Sequence, residues 1–252
     1  MKSKVKAFEE SDHFIEQKAK FLSIKKGEGI LLGAIPSRAL GTALTNQQWI
    51  TTARLRLGMH VMKEGKRCEC CGMKVDGLGK HALSCSGKGG GMWNRHEAIC
   101  KCLMQFLKYA EIPAKWDKSN LIRDSQQRPA DIFLPDSQNG RPEALDVTIT
   151  HSQNDSSHTA VLKDPEAVLK AAVAKKRAKY VAKLQREGIL FNAFALDVYG
   201  QMHSDAIRVL ERTASYAAAN RGEDYVGLLR SFKIQMQAAL AKQVVTMIQV
   251  RG

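Results

Sequence analysis

Aromatic residues are scarce, 6% of the 252 positions, and that scarcity argues against a long stacking platform for single-stranded nucleic acid. Long apolar runs are missing too. None approaches the roughly 20 residues that a membrane-spanning helix requires, so no membrane segment is expected. Residues 1–14 carry Glu9, Glu10 and Asp12, and no apolar stretch with a small-residue cleavage pattern follows them. Neither a secretory signal nor a transit peptide is therefore expected. Acidic residues are in deficit: 25 Asp and Glu face 39 Lys and Arg, a formal net charge of +14. Such an imbalance suits a polyanionic partner, because clustered cations displace counterions from phosphates. Basic charge sets the partner class and nothing finer. There are no internal repeats.

What is present begins with cysteine. Six are expected to be thiols in a reducing compartment, and four of them fall between Cys68 and Cys85, the pattern of a metal site rather than of a disulfide framework. Cys68, Cys71, His81 and Cys85 form a Cys-x2-Cys…His-x3-Cys arrangement. Two close pairs separated by a short loop supply the four ligands of tetrahedral zinc. Gly72, Gly77 and Gly79 let the loop turn tightly. Cys70 is an alternative to Cys68 in the first pair. The stretch 63–91 is too polar and too punctuated to hold a core of its own, a deficit that a structural metal would make good. Cys100 and Cys102 read as core thiols.

The remaining pattern is that of an α/β protein. Thr45 is a candidate cap for a helix through Trp49, Ile50 and Ala53. Residues 94–109 carry Ile99, Leu103, Phe106 and Leu107 at helical spacing. Strands are expected at 130–134 and 144–150, joined by a turn over 135–142 with Asn139-Gly140 at its tip. A helix from Asp164-Pro165 to about Gly188 should follow. Residues 190–198 read as a buried strand, parallel to its neighbours. Helices from about Ser204 to Asn220 and from about Tyr225 onward complete the chain.

Each of the two expected strands holds an acid inside an apolar run: Asp131 and Asp146. Alternation sets Leu145, Val147 and Ile149 on one face and Asp146, Thr148 and Thr150 on the other. On neighbouring strands the two carboxylates would reach one hard cation, Mg²⁺ or Mn²⁺. On the helix after Pro165, Leu169, Val173, Tyr180 and Leu184 form one apolar stripe, and Lys176 falls in its middle with Lys179 at its edge. A lysine turned inward implies carboxylates or a phosphate beneath it. Glu97 is a candidate third carboxylate, or one half of a surface ion pair. Asp117 is a candidate ligand and Arg128 a candidate phosphate contact. His96 reads as a phosphate contact or as a capping or buried histidine.

Taken together, the zinc-type cluster, Arg95-His96, Arg128-Pro129-Ala130-Asp131, Leu145-Asp146-Val147-Thr148 and Lys176 to Tyr180 resemble one family. It is the restriction-like endonuclease domain, a zinc knuckle plus a PD-(D/E)xK nuclease, found at the C-terminal end of some non-LTR retrotransposons. The resemblance spans roughly residues 54–200. It implies a PD-(D/E)xK core, a small mixed sheet flanked by helices, that nicks target DNA in the nucleus. It further implies that Asp131 and Asp146 bind the catalytic Mg²⁺ or Mn²⁺. Lys176 and Lys179 would act as helix-borne lysines with Tyr180 beside them, and zinc on the knuckle would be structural. Thr148 stands where simpler nucleases of that fold keep their lysine, and Ala130 separates Pro129 from Asp131, a departure from the family's adjacent Pro-Asp.

On this reading residues 1–62 are a basic, partly helical region, 63–91 the zinc knuckle, 92–212 the nuclease core and 213–252 a C-terminal helical region. The last is a candidate for a dimer surface or for closing the core. No Tyr-x-Asp-Asp stretch of a polymerase is present, so a truncated element, an independent reading frame or a domesticated remnant is expected. DNA is the expected partner, with RNA as a further candidate. Competing readings are a catalytically inactive zinc-knuckle nucleic-acid-binding module and a nuclease for branched DNA.

Overall fold

A computed structural model describes residues 18, 22, 29–87, 91–137, 140–152 and 157–251. Four strands form one mixed sheet in the order β1-β2-β3-β4. They are β1 (Lys115–Trp116), β2 (Ile132–Leu134), β3 (Glu143–Thr150) and β4 (Leu190–Asp197). β1, β2 and β3 pair antiparallel, whereas β4 runs parallel to β3. A parallel neighbour needs a crossover. Here α4 (His158–Lys163) and α5 (Ala167–Arg186) supply it.

The register explains which side chains meet α5. In a parallel pair, partners point to the same face, so Ala144, Asp146 and Thr148 share a face with Phe191, Ala193 and Ala195. Leu169, Val173, Tyr180 and Leu184 are the buried residues of α5, the stripe that the sequence predicts. Leu169 and Val173 pack on Ala193 and Ala195, while Tyr180 and Leu184 pack with Ala144 and Phe133. Small residues on the strands let the helix lie close.

The other face buries Leu145, Val147, Phe194 and Leu196 beneath α3 (Gly91–Tyr109), α6 (Ser204–Arg221) and α7 (Tyr225–Arg251). Leu228, Phe232, Met236, Leu240, Val244 and Ile248 recur every four residues along α7 and are all buried. Phe232 stacks on Phe106 with centroids 4.3 Å apart. The last helix thus closes the core. Positions 212 and 213, where the sequence divides core from C-terminal region, lie inside α6.

Before the core, α1 (Asn46–Leu57) starts at Thr45 in a capping box with Gln48. α2 (Lys80–Ser84) belongs to the cysteine-rich segment. Several boundaries depart from the sequence expectation. β2 begins at Ile132, so Asp131 precedes the strand rather than lying within it. Asp164 does not cap the long helix: Glu166 occupies that place, and Asp164 Oδ1 accepts the Glu166 N–H at 3.0 Å. The short helix α4 and the two-residue β1 were too brief to show periodicity. Positions 138 and 139 of the expected turn lie outside the described residues. No helix among the described residues is long and apolar enough to cross a membrane.

One buried ion pair ties β3 to α6. Glu143 accepts hydrogen bonds from Arg212 and from Ser137 Oγ, each at 2.5 Å, and its side chain is almost wholly enclosed. Removing the cation strands a buried carboxylate. Arg212→Ala is expected to cost about 3 kcal/mol or more, read as a lower urea midpoint with an unchanged slope.

Candidate active site and metal centre

The sheet's short strand β2 creates the first site. Asp131 N–H donates to Leu145 O at 2.9 Å. Two residues back, the next rung of the antiparallel ladder would need a donor from position 129 to Val147 O. Position 129 is proline, which has no N–H, so the ladder stops. The freed edge of Val147 is filled from two other places. The Asp131 carboxylate takes Val147 N–H on Oδ2 at 2.7 Å. His96 Nε2, from α3, lies 3.2 Å from Val147 O and 3.1 Å from the same Asp131 Oδ2. Hydrogen-bonding to Asp131, aided by its charge, outweighs burial and raises the His96 pKa.

Asp146, one residue before Val147, is 5% exposed on the face under α5. Lys176 donates to its Oδ1 at 3.1 Å and lies 2.8 Å from its Oδ2, which itself accepts no hydrogen bond. Burial pushes the Asp146 carboxyl above its ordinary pKa; Lys176 opposes that shift, and the charge of Asp131 adds to it. The expected inward lysine and its carboxylate partner are therefore in contact. Asp131 sits beside them on the neighbouring β3 residue. Thr148 Oγ1 and Thr150 Oγ1, on the Asp146 face, are buried without hydrogen-bond partners.

The other candidates divide. Lys179 is exposed one turn on, its ammonium 4.7 Å from the ring centre of buried Tyr180. Glu97 pairs with Lys101 along α3 at 3.0 Å, the surface ion pair among its two readings. Asp117 and Arg128 pair with each other at 2.6 Å and are both largely exposed. Asp117 reaches the site only through its backbone, whose N–H donates to Asp131 O at 2.8 Å. Cys100 and Cys102 are buried; burial drives the Cys102 thiol up to about 12. His96 is the residue that sequence reasoning undervalued. Its adjacency to Asp131 depends on a helix 35 positions away, for which the only local signal was the proline that silences the ladder.

The second site is the cysteine-rich loop. Cys68 N–H bonds Met73 O at 2.7 Å and Gly72 N–H bonds Cys68 O at 2.8 Å, a tight turn that Gly72 permits with φ 75°. α2 then carries His81, with Cys85 at its end, one helical turn on. Asp76 caps this helix, accepting from Lys80 N–H at 3.0 Å and His81 N–H at 2.7 Å. The ligand atoms of Cys68, Cys71, His81 and Cys85 all lie within 4.8 Å of one another, an arrangement that could hold a metal such as zinc. Cys68, not Cys70, is the member of the first pair that converges.

Arg251, 1% exposed, reaches this cluster at Cys85, and Arg95, 3% exposed, lies near Arg251 and donates to Leu83 O at 3.3 Å. Neither has a carboxylate partner among the described residues, and Arg95 Nε, Arg251 Nε and Arg251 Nη2 make no hydrogen bond. Burial, and secondarily the like charge of Arg251, lowers Arg95 to about 10. At Cys85 burial opposes ionisation, but the Gly87 N–H, Arg251 and the neighbouring thiols together bring the thiol below its ordinary value. The buried sulfurs of Cys68 and Cys85 thus lie with the Arg251 guanidinium, while Cys71 is exposed.

No protein-family model and no curated protein sequence matches this chain. What it can be said to belong to is its architecture: a mixed α/β protein whose small four-stranded mixed sheet is flanked by helices, with a Cys/His cluster suited to zinc.

Proposed function

We propose that this protein is a divalent-metal-dependent DNA endonuclease with a PD-(D/E)xK-type core, stabilised by a structural zinc knuckle. One observation carries the reading: a helix-borne ammonium, Lys176, touches the buried strand carboxylate of Asp146 beside Asp131. A buried acid and a partly buried lysine converging from sheet and helix are costly to keep without a polar ligand.

The donor set fits a hard cation. Asp131 spends only Oδ2 on hydrogen bonds, and Asp146 Oδ2 accepts none. Asp131 therefore retains Oδ1, a cation would share Asp146 Oδ2 with the Lys176 ammonium 2.8 Å away, and carboxylate oxygens suit Mg²⁺ or Mn²⁺. When bound, such an ion supplies Lewis acidity toward a phosphodiester and lowers the pKa of a water. The residues do the rest. Asp131 and Asp146 would hold the ion between the edge of β3 and its α5 face. Lys176 would orient the attacking water or neutralise charge gathering on the phosphate. Lys179 and the exposed basic residues of α5, Lys170, Lys175, Arg177 and Lys183, would steer the DNA backbone.

The test is nicking of supercoiled plasmid with Mg²⁺ or Mn²⁺ present or omitted; omission is preferable to chelation, which would also strip the knuckle. Cleavage only with the ion present supports the reading. Salt-sensitive DNA binding without cleavage would favour a catalytically silent binding module instead.

A further inference from the structure

We propose that His96 is a positioning residue for the cation site: it pins Oδ2 of Asp131 against β3 so that Oδ1 alone faces the ion. The proposal rests on the reading of Asp131 as a cation ligand.

The hydrogen-bond pattern assigns the protons. Val147 O can only accept, and His96 Nε2 lies 3.2 Å from it, so Nε2 carries a hydrogen. That N–H is shared with Asp131 Oδ2 at 3.1 Å, and Val147 N–H donates to the same oxygen at 2.7 Å. Two donors from different elements thus fix one carboxylate oxygen. Asp131 Oδ1 has no hydrogen bond among the described residues. On the far side of the ring, His96 Nδ1 lies 3.8 Å from Cys100 Sγ, one helical turn along α3. The buried Cys100 side chain holds the imidazole from behind.

The ligand atoms of His96, Cys100 and Asp131 also lie within 4.8 Å of one another, close enough to share a metal ion. The ring argues against a chelate. It stands between the other two, a different nitrogen toward each, and its Nε2 is already engaged with a carbonyl. This is a chain of contacts that orients a ligand, the role that partners of metal-bound carboxylates play in general.

The experiment is a Mn²⁺ titration followed by electron paramagnetic resonance, on protein whose knuckle is loaded with zinc. His96→Ala is expected to weaken Mn²⁺ binding by roughly ten- to a hundredfold. His96→Gln, whose amide N–H can reach the Nε2 position, is expected to restore most of that loss. Amide exchange at Val147, measured without Mn²⁺, should accelerate in the alanine variant and return in the glutamine one. Wild-type affinity in His96→Ala overturns the proposal while leaving the cation reading intact. Equal weakness of His96→Gln and His96→Ala overturns it in favour of direct coordination by the ring. A wild-type protein that binds no Mn²⁺ overturns both together.

Discussion

Asp146→Ala is expected to abolish Mg²⁺-dependent nicking, with a loss on the order of a thousandfold or more. The magnitude follows from what the acid would hold. A bound cation stabilises transition-state charge by several kcal/mol, and each 1.4 kcal/mol is about tenfold in rate. The fold should survive the change. Asp146 is buried at a cost that its raised pKa reflects, and Lys176, its partner, is 31% exposed and can turn toward water. DNA binding should therefore be retained, with the same dependence on salt, since no phosphate-facing cation is lost. The pairing of lost cleavage with retained binding separates a missing cation ligand from a general collapse. Residual nicking near the wild-type rate in this variant would remove the site from consideration.

Stripping the metal from the cysteine cluster is the second large effect, expected to lower the melting temperature by on the order of 10 °C, because a loss of a few kcal/mol translates to that shift in a chain of this size. The apolar content of the knuckle is slight: Cys68, Val75 and Cys85, with Met62 and Cys70 packed against them. A dication with three thiolates and a neutral imidazole carries a single negative charge, and Arg251, which reaches Cys85, is buried beside it with no carboxylate partner among the described residues. Metal loss would leave the enclosed Arg251 guanidinium facing neutral thiols, an arrangement that burial disfavours. The C-terminal turn of α7 should then loosen, since Arg251 is seated in that space and packs on the backbone of Gly91. Hydrogen exchange after chelation should accelerate at 60–87 and at 244–251 together, while β3 and β4 stay protected. Unchanged melting after verified removal of the metal would show that the loop folds without it.

Local periodicity made much of this molecule legible. The stripe of α5 was readable because helical spacing puts Leu169, Val173, Tyr180 and Leu184 on one side, and Lys176 could be placed on that side by the same count. The strand at 190–197 was readable as parallel because both its faces are covered and its run is continuously apolar. Elements with no room for a period were missed: α4 spans six residues and β1 two. Glu97 and Asp117 are the secondary acid candidates beside Asp131 and Asp146, and their partners separate them further. Lys101 and Arg128 occupy the first two, whereas the second two are held beside an inward lysine and a histidine.

By itself the sequence determined the basic charge, the zinc-type cluster apart from the choice between Cys68 and Cys70, and the alternation that turns Asp146 toward α5. These are properties of composition and of short-range geometry, which the chain carries wherever it folds. Only the tertiary structure decided that His96 reaches Asp131, that Cys68 rather than Cys70 converges with the other ligands, and that Arg251 closes over the cysteine loop from the far end of the chain. The first and last of those contacts join segments distant in sequence through helix packing, and the choice of Cys68 depends on which thiol the folded loop turns toward His81 and Cys85, which spacing alone leaves open.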